Sequence, residues 1–136
     1  MLKNIGVIGS GQMGLGIAHV SALSGATVKL MDTNEKQLAS ALASIDENMN
    51  RQISRGTLSE ADKRDALARI ETGTGYEFFS ECDLVIESAS ENEEVKRGIF
   101  KTLTPFLKPE AIIGTNTSSI SVTRLAANTD RPDRFC

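Results

Sequence analysis

The chain has 136 residues, 40% hydrophobic and 24% charged, with 18 acidic against 15 basic side chains and a net charge of −3. Such values describe one ordinary globular domain, long enough for a core, and Lys and Arg scattered along the chain leave no footprint for nucleic acid. No apolar run approaches the ~18 residues that span a membrane, and Cys82 and Cys136 show neither metal-ligand nor CxxC spacing.

The first predicted strand, Lys3 to Ile8, is apolar from Ile5 onward, as a strand covered on both faces should be. It starts within a few residues of Met1, so no leader is expected, and the expected compartment is the cytoplasm with both thiols reduced. Gly9-Ser10-Gly11-Gln12-Met13-Gly14 follows. Glycine at the first position permits a sharp turn out of a strand, at the second lets backbone approach a pyrophosphate, and at the third lets the next helix pack closely. A glycine turn with no ligand has the same letters. Context favours the phosphate site, because a helix opens here and its unsatisfied N–H groups suit an anion. Met13, Ile17, Val20 and Ser24 are expected to form that helix's buried stripe, with Gly25 ending it. His19 lies off the stripe and reads as an exposed helical histidine.

A second strand, Thr27 to Met31, delivers Asp32 about twenty residues past the first glycine, the spacing expected of the acid that binds an adenosine ribose. An aspartate there also suits a turn or helix cap, but Asn34 with Gln37 already supplies a cap. No basic residue follows before Lys36, so a 2′-phosphate would meet negative charge and NAD is favoured over NADP. Leu38, Leu42, Ile45, Met49 and Ile53 then mark a long helix ending at Arg55-Gly56, and Ser59-Glu60-Ala61-Asp62 opens another through Ala66 and Leu67. Two helices stand where a plain crossover needs one. This inserted hairpin is either additional packing or a wall for a large substrate.

Ile70 to Gly75 is a weak third strand and Leu84-Val85-Ile86 a clear fourth, ending at Glu87. Ser90 with Glu93 is read as the cap of a helix whose stripe is Val95, Ile99 and Leu103, with Pro105 at its end. Glu91 and Lys96 in this segment read equally as solvated helix-start charges. Cys82 reads as a small buried apolar residue. Ala111 to Gly114 is a short fifth strand. The polar run Thr115-Asn116-Thr117-Ser118-Ser119 after it is either a helix start or a substrate-facing loop, lying as it does at a strand's carboxyl end. Arg131 to Cys136 heads toward a sixth strand. The pattern is α/β: a Rossmann-type doubly wound, mostly parallel sheet with a helical hairpin inserted between strands 2 and 3.

Three segments, from Gly9 to Ala18, from Asp83 to Glu87 with Glu91 and Lys96, and from Asn116 to Ser121, closely resemble in order and spacing the NAD-binding domain of the 3-hydroxyacyl-CoA dehydrogenases. The likeness covers essentially the whole chain. It implies an oxidoreductase moving a hydride between NAD and the 3-hydroxyl or 3-oxo carbon of an acyl-CoA, with no metal. It further implies that Gly9, Ser10, Gly11, Gln12, Met13, Gly14 and Asp32 hold the adenosine half of NAD, and that Glu87, Glu91 and Lys96 line the rest of the groove. Ser118 would bond the reacting oxygen and also face the cofactor, with Asn116 beside it, and Asn48 and Arg55 on the hairpin would touch coenzyme A. Members of that family continue past the position of Cys136 into a Gly-Met-His-Phe-Phe-Asn-Pro motif bearing the general base, and into a helical domain that closes the cleft and forms a homodimer. The 136-residue chain is therefore read as a cofactor domain, inactive on its own. A non-catalytic or crystallin-like NAD-binding relative of the same fold is the alternative.

Overall fold

The computed structural model of the chain describes residues 3–89 and 92–115. Ser90, Glu91 and everything from Asn116 onward, including Ser118 and the expected sixth strand, lie outside the described residues. Five strands, β1 (Asn4–Ile8), β2 (Thr27–Met31), β3 (Ile70–Gly73), β4 (Leu84–Glu87) and β5 (Ile112–Thr115), form one sheet in the order β3-β2-β1-β4-β5. Every pairing is parallel. Helices α1 (Gln12–Leu23), α2 (Glu35–Ser54), α3 (Glu60–Ala68) and α4 (Glu93–Leu103) cross between strands, and α2 with α3 is the expected hairpin between the second and third.

Because successive strand residues point to opposite faces, neighbours in one strand serve different layers. Val7 and Leu30 join Ala18, Ala22, Ile45 and Met49 on the side of α1 and the hairpin. Ile8 and Met31 join Val85, Phe100, Leu103 and Ile113 on the side of α4. Helices thus cover both faces, as the doubly wound reading requires.

The hairpin packs much as its periodicity predicts, except that Ala41 is buried and the expected Leu42 and Ile53 are half-buried. Asn34 caps α2 by accepting from the N–H groups of Lys36 and Gln37, and Leu38, Ala41, Ile45 and Met49 are its buried stripe. Gly56, with φ of 78°, turns the chain after Arg55. Ser59 caps α3 by accepting from Asp62 N–H at 3.0 Å. Lys63 on α3 reaches back to Asp46 and Asn50 on α2, at 2.9 and 2.8 Å.

Two stripes outside the hairpin differ more from expectation. On α1 the buried residues are Gly14, Ala18, His19 and Ala22, while Met13 is 53% and Val20 69% exposed. The reason is distance: a helix entered by a tight glycine turn lies close to the sheet, so small residues at i, i+4 and i+8 face it and bulky ones turn outward. His19 is buried rather than exposed, its Nε2 paired with Gln52 Oε1 of α2 at 2.9 Å. On α4 the buried residues include Lys96, Phe100 and Leu103, whereas Val95 is 48% exposed and Ile99 half-buried. Its cap is Asn92, accepting from Val95 N–H at 3.1 Å, not the expected Ser90 with Glu93.

A short 3-10 turn at Glu77–Phe79, unforeseen in the sequence, places Phe79 fully buried beneath β1. A Cβ on Gly6 would come within 2.6 Å of that ring, which explains a glycine inside a strand. Cys82 is fully buried beside it, as expected, and burial pushes its thiol up to about 11.

Candidate functional site

Chain order reverses between β1 and β4, the place where ligands of doubly wound sheets bind, at the carboxyl ends of the strands. A cleft of about 520 Å³ opens there, its walls including Gly9, Ser10, Gly11, Asp32, Tyr76 and Val95. The three motif glycines have three different roles in it. Gly9 has φ of 96°, and a Cβ there would lie 2.8 Å from Ala89 backbone. At Gly14 a Cβ would overlap the Gly9 carbonyl oxygen. Both glycines are demanded by the protein's own packing.

Gly11 is not. A Cβ there meets no atom of the described residues within 4 Å, and φ of −70° is open to any residue. It lines the cleft and is the N-cap of α1, so the helix's unsatisfied N–H groups sit at the cleft's end with open space before them. That is a cradle a side chain would fill and an anion fits.

Asp32 follows β2 and lines the same cleft, beside the glycine loop. Its Oδ2 accepts from Ser10 N–H at 3.0 Å and from Ser10 Oγ at 2.9 Å, and its Oδ1 accepts from Asn34 N–H at 3.0 Å. Burial raises its pKa, but the backbone N–H groups of Asn34, Ser10 and Thr33 and the Ser10 hydroxyl outweigh that and hold it below the ordinary carboxylate value. The carboxylate is therefore charged at neutral pH and bound into the loop that carries the glycines. Among the described residues that line the cleft there is no Lys or Arg.

The other wall was not foreseen as such. Tyr76, Val95 and Ile99 line it together with Ser88, whose hydroxyl donates to the carbonyls of Ile8 and Gly9 at 3.0 and 3.3 Å. The spacing of Val95 and Ile99 matches a buried stripe, and nothing in that spacing marks them as cleft residues. Gln12 and Met13, expected at the cofactor, begin α1 and lie on a shallow apolar surface outside the cleft lining. Glu87 and Lys96 are fully buried and ion-paired with each other, and Thr115 Oγ1 donates to Glu87 Oε1 at 2.9 Å. On the hairpin, Asn48 is half-buried and accepts from Arg51 at 3.1 Å, and Arg55 is exposed. Among the described residues no group of His, Cys, Asp or Glu is placed to hold a metal, and no helix is long and apolar enough to cross a membrane.

Residues 4–136 match the family model of the 3-hydroxyacyl-CoA dehydrogenase NAD-binding domain. The chain belongs to that family. NAD is accordingly the cofactor of this 3-hydroxyacyl-CoA dehydrogenase domain, and the glycine loop and Asp32 line one cleft. A 3-hydroxybutyryl-CoA dehydrogenase of Bradyrhizobium diazoefficiens is 53% identical over 135 residues, which is 99% of this chain and 46% of that protein. The crystal structure of an (S)-3-hydroxybutyryl-CoA dehydrogenase from Ralstonia eutropha superposes with a TM-score of 0.96 at 40% identity, over 99% of this chain and 48% of that one. That of a 3-hydroxybutyryl-CoA dehydrogenase from Escherichia coli K12 does so at 0.96 and 38%, over 99% and 29%. The chain thus spans half or less of the length of these relatives.

Proposed function

We propose that this dehydrogenase domain serves the transfer of a hydride between NAD and C3 of a short 3-hydroxyacyl-CoA or 3-oxoacyl-CoA. The observation that carries the cofactor half of this reading is Gly11, a glycine that no described residue crowds, at the mouth of a helix and in one cleft with an ionised aspartate. NAD, when bound, supplies the hydride acceptor or donor. The chain's residues bind and orient: Gly11 and the start of α1 accommodate the pyrophosphate, and Asp32 accepts from the ribose hydroxyls while opposing a 2′-phosphate. Gly9 and Gly14 serve it by shaping the turn, and Ser10 by holding Asp32. Gln12 and Met13 begin the helix, Glu87 and Lys96 belong to the half of the sheet beyond the crevice, and Glu91 is proposed to line the rest of the groove.

Support for the acyl-CoA half comes from the relatives, whose names carry that substrate. Ser118 is proposed to bond the reacting oxygen and to face the cofactor, with Asn116 beside it. Asn48 and Arg55 are proposed to contact coenzyme A. Arg51, bonded to Asn48, adds a cation suited to a phosphate. Calorimetric titration of the chain with NAD, NADP and acetoacetyl-CoA tests the reading. Binding of NAD well ahead of NADP, with acetoacetyl-CoA binding weakened by charge reversal at Arg55, is expected. Equal affinity for the two dinucleotides would refute the role of Asp32.

A further inference from the structure

Glu87 ends β4 with its side chain fully buried. Among the described residues its carboxylate meets three separate segments. Oε2 accepts from the N–H of Ala89 at 2.8 Å, in the loop that follows β4. Oε1 accepts from Lys96 of α4 and from Thr115 Oγ1, at the carboxyl end of β5, while Lys96 Nζ also lies 3.4 Å from Thr115 Oγ1. Thr115 pairs with Glu87 in the register of the two strands, so the cluster sits on the rim itself.

A buried ion pair is by itself weak evidence for a stabilising role. Desolvating a carboxylate and an ammonium together is costly, and apolar side chains of similar volume commonly fill such a space at no loss. What the cluster does fix is register: the loop after β4, the first turns of α4 and the end of β5 share one carboxylate. Ala89, Val95 and Ile99 of those segments line the cleft. The charge is also felt there, since burial and then Glu87 raise the pKa of Tyr76 in the same wall.

A doubly wound sheet binds one mononucleotide on each side of its crevice. Gly9, Gly11 and Asp32 belong to the β1-β2 side and the Glu87 cluster to the β4-β5 side. We propose that Glu87 is a positioning residue for the nicotinamide half of the cofactor: it does not itself contact NAD but holds Lys96, Thr115 and the loop after β4 in the register that half requires. This rests on the assignment of NAD to the cleft.

The test compares NAD with ADP, which carries only the adenosine half and the pyrophosphate, by calorimetric titration of the chain and of two variants. Glu87→Asp keeps the charge opposite Lys96 but withdraws it by one methylene. Thr115→Val removes one hydroxyl without changing shape or charge. Expected are NAD affinities lower by about tenfold for Glu87→Asp and about threefold for Thr115→Val, with ADP affinity within twofold of the unaltered chain in both. Equal weakening of NAD and ADP would make the cluster a general structural element and overturn the proposal, as would unchanged NAD affinity in both variants. Should Glu87→Asp fail to fold, Thr115→Val decides alone: selective loss of NAD affinity supports the proposal and its absence overturns it. Failure of the unaltered chain to bind NAD would instead refute the cofactor assignment itself.

Discussion

Asp32 has two roles that the sequence presents as alternatives. It is a turn residue, accepting from Asn34 N–H two residues on, and it is also the lip of the cleft, tied to Ser10. A charge-assisted hydrogen bond is worth roughly 1.5–3 kcal/mol, so Asp32→Ala should weaken NAD binding roughly 10- to 100-fold, as calorimetry would read. Its lowered pKa sets the sign of the pH dependence: the ionised form persists below the ordinary value near pH 4, so NAD affinity should hold steady from pH 7 to about 5. A fall in affinity centred above pH 5 would contradict that. The motif glycines separate more sharply. Gly11→Val should lower the melting temperature by no more than about 5 °C, the cost of a poorer helix N-cap, since its Cβ enters open space among the described residues, yet should cut NAD affinity at least ~10-fold. Gly14→Ala should do the reverse first, costing about 3 kcal/mol and roughly 10 °C in melting temperature, because its methyl would overlap the Gly9 carbonyl.

Elements are held in place from the end of the sheet opposite the cleft as well. Asp83, just before β4, accepts from the N–H groups of Lys3 and Asn4 at 2.9 and 3.0 Å and pairs with Lys108, so it staples the starts of β1 and β4 to the segment entering β5. The Lys108 ammonium and then those two N–H groups hold its carboxyl far below the ordinary range, and the same hydrogen bond raises Lys108. A depressed carboxylate pKa means that the unfolded chain binds the proton more tightly. The stabilisation is therefore complete above the unfolded value near pH 4 and is lost as pH falls below it. Asp83→Asn should lower the melting temperature at pH 7 and should flatten its decline between about pH 4 and pH 2, as thermal melts would show. An unaltered acid slope in the variant would remove Asp83 from this role.

Taken as a whole, the described molecule is a sheet covered on both faces with a cleft on its carboxyl rim. The chain has one histidine, His19. It lies buried between α1 and α2, paired with Gln52, and is not among the residues lining the cleft. Oxidation of a 3-hydroxyl needs a base within hydrogen-bond reach of the departing proton, with a pKa suited to neutral pH. The 136-residue polypeptide assayed alone should therefore bind NAD but reduce acetoacetyl-CoA with NADH at background rate when followed at 340 nm. Absence of a base alone costs about 10²–10⁴-fold. Turnover well above background would mean that another group performs the proton transfer.

What could be known from the letters was local. The glycine spacing, the apolar runs and the Asn34 and Ser59 caps are interactions among residues close in the chain, so the order of strands and helices, the inserted hairpin and the rim position of Gly11 and Asp32 were all legible. The outward turn of Met13 and Val20, the burial of His19 and the place of Lys96 were not. Hydrophobicity assigns bulky apolar residues to the core and charges to solvent, whereas the true faces depend on how close α1 lies to the sheet and on partners distant in sequence. Gln52 accepts the pairing with His19, and Glu87 makes the burial of Lys96 tolerable. Those partners meet only when α2 folds back over α1 and when β4, α4 and β5 share a rim, and that proximity is a property of the tertiary structure alone.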